Sequence, residues 1–352
     1  MGLPEINIEF KGKAVSAIKR SAMGIVALIL KDDTGTFDSI EYRSIEDIVS
    51  TDWTAANLDY IKKTLDGTPS KVIVERVDTT ALDYNDILKR LGSKKWNYLA
   101  IPGIATSDVA DIVSWIKSKR DNEKKTFKAV LPNVDADHEG IINFTTGDVK
   151  VGEKTYSSAE YCARIAGVLA GLPFTRSSTY YVLNEIESIT ESETPGTDID
   201  AGKLILINDG EKIKIGRGVN SLTTTTIEKT EVFKKIKVLE VMDMVMDDIR
   251  DTFNNSYVGK VPNTYDNQVL FFTSVNAYFN DLAADDILDS SFDNKAGVNI
   301  EAQRLAWEGI GTDTTDWDDQ KVKEMSFKSN VFAAGNIKIV DAMEDLDFQI
   351  AI

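Results

Sequence analysis

The strongest constraint on this chain is a repeated order of apolar run, helical segment and apolar run. Gly24 to Leu30 reads as a buried strand that ends in Asp32-Asp33-Thr34-Gly35. Ser44 to Leu65 is predicted as a helix, with Ser44 as N-cap, Asp47 in capping-box position and Gly67-Thr68-Pro69 as the stop. Lys71 to Val77 is a strand, Asp83 to Leu91 a helix, and Tyr98 to Pro102 a buried strand closed by Gly103. Asp108 to Lys119 sets Val109, Ile112, Val113 and Ile116 at helical spacing, and Phe127 to Leu131 returns to strand. Strands joined through helices at this spacing run parallel, since the chain must cross back over the sheet before pairing again.

Further along, Ile141 to Phe144 adds a short strand. Ser157 to Leu172 is a helix rich in small residues (Ala159, Ala163, Ala166, Gly167, Ala170, Gly171), which implies close packing on a neighbour. Lys203 to Ile207 and Glu211 to Ile215 flank Asn208-Asp209-Gly210, a hairpin in which Asp-Gly supplies a tight turn. Lys229 to Phe253 forms a long helix with Val238, Val241, Met242, Val245, Ile249 and Phe253 on one face, and Asp243, Asp247, Asp248 and Asp251 away from it. Asp266 to Leu288 is an aromatic-rich helix, Glu301 to Trp307 a short one, and Asp313 to Asp319 a polar loop.

Both ends alternate apolar and polar residues: Ile6, Ile8 and Phe10 at the start, then Val331 to Val340 and Leu346, Phe348, Ile350 and Ile352 at the end. Alternating strands at loose ends call for partners, because an unpaired edge recruits another chain and unburied Ile and Phe forfeit their hydrophobic driving force. The two ends pair either within one subunit or with the sheets of neighbouring copies. The expected fold class is α/β and α+β multidomain: a central α/β domain with parallel strands, a C-terminal mixed domain, and extended N- and C-terminal strand arms. The expected division is an arm at 1–20, a small α/β domain at 21–92, a central α/β domain with its hairpin at 93–228, a C-terminal domain at 229–340 and an arm strand at 341–352.

Composition narrows the function. With 352 residues, two or three cores are affordable. Lys and Arg number 40 against 57 Asp and Glu, a formal charge of −17 that argues against a phosphate-backbone partner. Cys162 is the one cysteine, so an intrachain disulfide and a multi-thiolate zinc site are excluded, and a reducing compartment fits. The longest apolar run falls far short of the roughly 20 residues of a membrane span, and the start carries no basic leader region. Neither a secreted precursor nor membrane insertion is expected.

Candidate chemistry is sparse. His138, the single histidine, sits in Asp135-Ala136-Asp137-His138-Glu139, where three carboxylates and an imidazole have the donor types of a divalent-cation site. The spacing lacks the EF-hand register, so a loop between two strands is the expected reading. A catalytic set would have to be built on His138 with its partners unmarked. Gly216-Arg217-Gly218 lacks the GxxxxGK[ST] pattern and a crossover after it, so it reads as a turn or bulge where backbones approach. Arg217 is left either at a subunit contact or in solvent. No catalytic residue, metal ligand set or cofactor is assigned.

Three strings then converge. Ala163 to Pro173, Arg217 to Thr224 and Asn255 to Asn263, with Asp137 to Asn143 in support, resemble the tail sheath proteins of contractile bacteriophages. They are most similar to compact sheaths of phage-like bacteriocins and defective prophages of Gram-positive bacteria. The resemblance implies a non-enzymatic structural subunit that polymerises as stacked hexameric rings around an inner tube and contracts to drive that tube through a cell envelope. It implies arms at Ile6, Ile8 and Phe10 and at Leu346, Phe348, Ile350 and Ile352, a receiving sheet with Phe332, Ile337 and Ile339, and tube contact between Lys229 and Leu288. Lys11-Gly12-Lys13 and Asp341 to Glu344 are the expected flexible links. The implied partners are further copies of the chain, an inner tail tube protein, and baseplate and terminator proteins at the ends, with no nucleic acid. The implied location is the host bacterial cytoplasm during assembly, then the virion or a phage-tail-like particle. The rivals are an α/β hydrolase using residues 135–139 and an acidic scaffold module.

Overall fold

A computed structural model of the chain describes Ile18 and residues 24–351. From residue 24 onward it divides into two compact units, 24–243 with 341–351, and 244–340.

The elements of the first unit are β1 (Ile25–Lys31), β2 (Ser39–Tyr42), α1 (Ala55–Leu65), β3 (Lys71–Val77), α2 (Asn85–Leu91), β4 (Tyr98–Ala100), α3 (Thr106–Asp121), β5 (Lys128–Pro132), β6 (Ile141–Phe144), β7 (Val149–Val151), β8 (Lys154–Tyr156), α4 (Ser158–Gly171), α5 (Pro195–Asp200), β9 (Lys203–Leu204), β10 (Leu206–Asn208), β11 (Ile213–Ile215) and the start of α6 (Ile236–Ser256). Seven strands form one sheet in the order β2-β3-β1-β4-β5-β6-β9, parallel except where β2 runs against β3. Val26 is in register with Val72 on one side and Tyr98 on the other. Alternation along each strand builds two cores. Leu28, Val72 and Val74 pack with Ile61, Tyr161 and Ile165 on one face, while Ala27, Ile29 and Ile73 pack with Leu91, Trp96 and Ile112 on the other.

The small residues of α4 act as the spacing implies. A Cβ at Gly167 would strike the Thr64 carbonyl of α1, and one at Gly171 would strike the Gly67 carbonyl. Backbone therefore touches backbone along the α1–α4 contact.

Four expectations change. The helix predicted from Ser44 starts as foreseen, with Ser44 and Asp47 closing a capping box, but only a single turn forms. Ile48 and Val49 are extended, and α1 begins anew at Thr54, whose N–H and hydroxyl both donate to Asp32 at 2.9 and 3.0 Å. The predicted 203–215 hairpin is shorter. Lys203–Leu204 joins the large sheet beside β6, and only Leu206–Asn208 pairs with Ile213–Ile215. Its turn is not a two-residue Asp-Gly turn, because the Asp209 carboxylate accepts from the Glu211 and Lys212 N–H groups and widens the loop. The sheet also runs through the expected 92/93 division, since β1 pairs β4 directly. Finally, Asp243 does not face solvent.

Asp243 is buried in a charged cluster inside this unit. Its two oxygens accept from the Arg120 guanidinium at 3.0 Å each, and one also takes the Lys128 ammonium at 2.7 Å. Lys128 pairs with Glu240 at 3.0 Å as well, and the Tyr98 hydroxyl donates to Glu240 at 2.5 Å. Burial alone would favour the neutral acid at Asp243, but Lys128 and Arg120 outweigh it and hold the carboxyl below its ordinary range. Burial likewise works against the Lys128 charge, and the Asp243 and Glu240 carboxylates reverse the sign.

The second unit takes the rest of α6, then α7 (Tyr265–Ala284), β12 (Lys295–Val298), α8 (Ile300–Glu308), α9 (Asp319–Glu324) and β13 (Ala333–Asn336). The unit boundary falls inside α6 after Asp243, where sequence placed it at 228/229. Phe253, Tyr257 and Phe271 meet edge-on or stacked at 5.1 to 6.0 Å between ring centres. The Tyr278 hydroxyl donates to Asp248 at 2.7 Å, which explains a second aspartate drawn inward from the predicted polar face.

Candidate functional site: an anchored C-terminal tail and an open strand edge

The tail leaves the first unit through an anchored root. Glu344 accepts from the Ser177 hydroxyl at 2.8 Å and the Thr179 hydroxyl at 2.6 Å, and meets Arg217 Nε at 3.3 Å and Lys235 Nζ at 3.6 Å. Arg217 also pairs with Asp345, and Lys235 with Asp341. Burial pushes the Glu344 carboxyl up, yet the two hydroxyls and the Lys235 and Arg217 charges bring it below its ordinary value. Lys237, itself buried, is depressed by that burial despite the attraction of Asp341 and Glu344. The segment expected to be a free link is thus held by four side chains. Beyond it, the chain to Ala351 has no regular structure. Leu346 is 90%, Phe348 73% and Ile350 72% exposed, so the predicted strand has formed no pairing among the described residues.

The receiving segment is also shorter than predicted. Within 331–340 only Ala333–Asn336 is strand, antiparallel to Lys295–Val298, with Gly335 opposite Ala296. Phe332 O accepts from Asn299 N at 2.9 Å, Ile339 bridges Leu288, and Ile337 is half-buried. The two edges of this small sheet differ. On β12, the Asn276 side chain of α7 donates to Ala296 O at 3.2 Å and accepts from Ala296 N at 2.7 Å, closing that edge as another strand would. On β13, all four residues are exposed, and among the described residues no strand lies on the outer side. A Cβ on Gly335 would collide with the Lys295 carbonyl, so glycine permits the close strand approach there.

The acidic loop 135–139 is consumed by the fold. The Asp137 carboxylate accepts from the Thr223 and Thr224 N–H groups at 2.7 and 2.8 Å, and the Ser221 hydroxyl donates to His138 O at 2.9 Å. The loop therefore fastens residues 221–224. Asp121, His138 and Glu139 do lie close enough to share an ion. However, Lys229 Nζ sits 2.9 Å from Glu139 and already supplies the positive charge. His138 Nδ1 accepts from Gly140 N at 3.0 Å, which leaves the proton of a neutral ring on Nε2, the nitrogen facing Asp121. A ring in that tautomer offers no lone pair to a metal there.

Of the site residues named from sequence, Leu346, Phe348 and Ile350 are brought out together on one tail, and Arg217 lies at its root. Ile6, Ile8, Phe10, Ile352 and the Lys11-Gly12-Lys13 link lie outside the described residues. Sequence reading missed Ser177, Thr179, Lys235, Glu344 and Asn276. The acidic triplet Asp341, Glu344 and Asp345 before an apolar tail was a usable signal for the root; nothing in the sequence marks Asn276.

Residues 78–221 match the family model of the phage tail sheath protein central domain, and residues 228–352 that of the phage tail sheath C-terminal domain. The chain belongs to the phage tail sheath protein family, and is a non-enzymatic structural subunit of a contractile tail sheath. It is 40% identical over 359 residues to the tail sheath protein of Clostridium phage phiCD119, covering 99% of both chains. In fold it is similar to the sheath tail protein of Desulfitobacterium hafniense, with a TM-score of 0.72 at 18% identity over 84% of this chain and 94% of that one. The contracted helical sheath of the anti-feeding prophage gives 0.70 at 12% identity, over 100% and 99%. The protein is thus a component of a phage tail or phage-like particle.

Proposed function

We propose that the sheath is woven by strand exchange: the C-terminal tail of one copy adds to the free β13 edge of a neighbour. The observation that carries this reading is an exposed, alternating apolar tail on a fixed root, in a chain whose β12–β13 sheet is closed at β12 and open at β13. Backbone hydrogen bonds contribute only about 0.5–1.5 kcal/mol net each, so burial of Leu346, Phe348 and Ile350, at about 1.5–3 kcal/mol apiece, supplies most of the affinity. A root already fixed lowers the ordering cost of the tail. The N-terminal stretch from Ile6 to Phe10 serves as a second arm on the same pattern.

Contacts of this kind are heterologous, so they close into hexameric rings and propagate into a stack around an inner tube. Baseplate and terminator proteins cap the two ends, and assembly takes place in the host cytoplasm. Contraction is a repacking of subunit bodies with the exchanged strands intact, driven by energy stored at assembly. Deleting residues 346–352 tests the scheme: negative-stain microscopy should show no sleeves while the monomer melts as wild type. Sleeves formed by the truncated chain would refute it.

A further inference from the structure

The second unit contains a cavity of about 400 Å³ between the end of α6, the start of α7 and the segment before β13. Phe253, Tyr257, Val261 and Phe271 give it an apolar wall, with Lys328 and Val331 on the side towards β13. An apolar cavity near 150 Å³ already holds a benzene ring, so this one takes an aromatic side chain with space for its backbone. Gln268 also lines it. That side chain is buried, and its Nε2 donates to Asn263 at 2.7 Å and Ser326 at 3.2 Å. Its Oε1 has no donor among the described residues. A buried acceptor without a partner is costly, and an occupant that brings an N–H would remove the cost.

We infer that this cavity receives the Phe348 side chain of a second copy of the chain. This rests on the strand-exchange reading above and specifies its anchor. Three observations favour that occupant. The tail offers an exposed aromatic, Phe348, between the exposed aliphatics Leu346 and Ile350, and its backbone carries the N–H donors that Gln268 Oε1 lacks. Asp347, next to Phe348, complements Lys328 at the cavity wall. Val331 lies two residues before β13, so a strand laid along that edge runs on to the cavity after about 7 Å. Strand pairing then sets direction, and the aromatic anchor sets register, which backbone hydrogen bonds alone leave free to slip.

The test uses the full chain. Val258 is exposed at the cavity wall, and Cys162 is buried and does not compete for oxidation. Sleeves assembled from a mixture of V258C and F348C copies should form an interchain disulfide on mild oxidation, since such a bond requires Cα atoms within about 7 Å. A mixture of L82C and F348C copies should not. Separately, V258W, which caps the cavity from its exposed side, should raise the concentration needed for assembly by about 10- to 100-fold, the equivalent of one buried Phe. Sleeves that form with no V258C–F348C bond and an unchanged assembly threshold overturn the anchor and leave strand exchange standing. A wild-type chain that forms no sleeves counts against both. Alkylation of V258C blocked only by added inner tube protein would assign the cavity to the tube. A disulfide closed within a dilute V258C/F348C monomer would assign it to the chain's own tail.

Discussion

Replacing Asp243 by leucine should destabilise the first unit by about 3–5 kcal/mol, the usual cost of stripping one partner from a buried ion pair. The structure explains why the cost is high. Asp243 makes three short contacts, two to Arg120 at 3.0 Å and one to Lys128 at 2.7 Å, in a site where both cations are buried. Without it, Lys128 keeps Glu240 at 3.0 Å, while Arg120 loses both of its hydrogen bonds to a carboxylate. Urea unfolding followed by tryptophan fluorescence is a suitable assay, because Trp96 stacks on Phe127 at 3.9 Å, one residue from Lys128. The midpoint should fall by on the order of 1 M or more with the slope unchanged. The double variant D243L/K128M should lose less than the two single losses combined, by about 0.5–3 kcal/mol, because it removes one charge of each sign. A loss below about 1 kcal/mol for D243L would refute the claim that these cations depend on it.

Glu344→Gln should lower sleeve yield and weaken the first unit by about 1.5–3 kcal/mol in chemical unfolding, because the root loses its charge-assisted bonds to Ser177, Thr179, Arg217 and Lys235. Because the folded Glu344 carboxyl lies below its unfolded value of 4.5, the anchor is fully present above that pH and is lost as pH falls through the folded value. Sleeve assembly scored by microscopy at falling pH should reveal this, and E344Q should lack that part of the dependence. Burial depresses His138 below 6.5 despite the nearby Glu139 and Asp121 charges, so its contribution to stability is present above pH 6.5 and declines as pH falls below it. Chemical unfolding at a series of pH values should show that slope in wild type and a shallower one in His138→Gln. Gly171→Val should destabilise the α1–α4 contact by at least about 1–3 kcal/mol, since its side chain meets the Gly67 carbonyl; an unchanged melting temperature would contradict the contact.

The parallel core was legible because its signals are local and agree with one another: apolar runs, helical spacing and glycine stops. What eluded the sequence was contact between distant positions. Asp243 reads as a solvent-facing residue on a helical wheel, and only Arg120 and Lys128, more than a hundred positions earlier, draw it inside. Ser44 and Asp47 capped a helix as predicted, but Asp32 captured Thr54 and restarted it. The Leu346 to Ile350 alternation lies exposed, and its expected hinge at Asp341 to Glu344 is an anchor built by residues 177, 179, 217 and 235. No local pattern encodes a clamp of that span.

The anchored root has a mechanical consequence. The chain leaves the first unit after Asp243 and rejoins it at Asp341, where Lys235 takes hold of it. Tension applied to the tail therefore enters the first unit through Glu344 and Asp341, at Ser177, Thr179, Arg217 and Lys235, without first pulling residues 244–340 taut. The inserted stretch of chain, residues 244–340, is bypassed by that line of force.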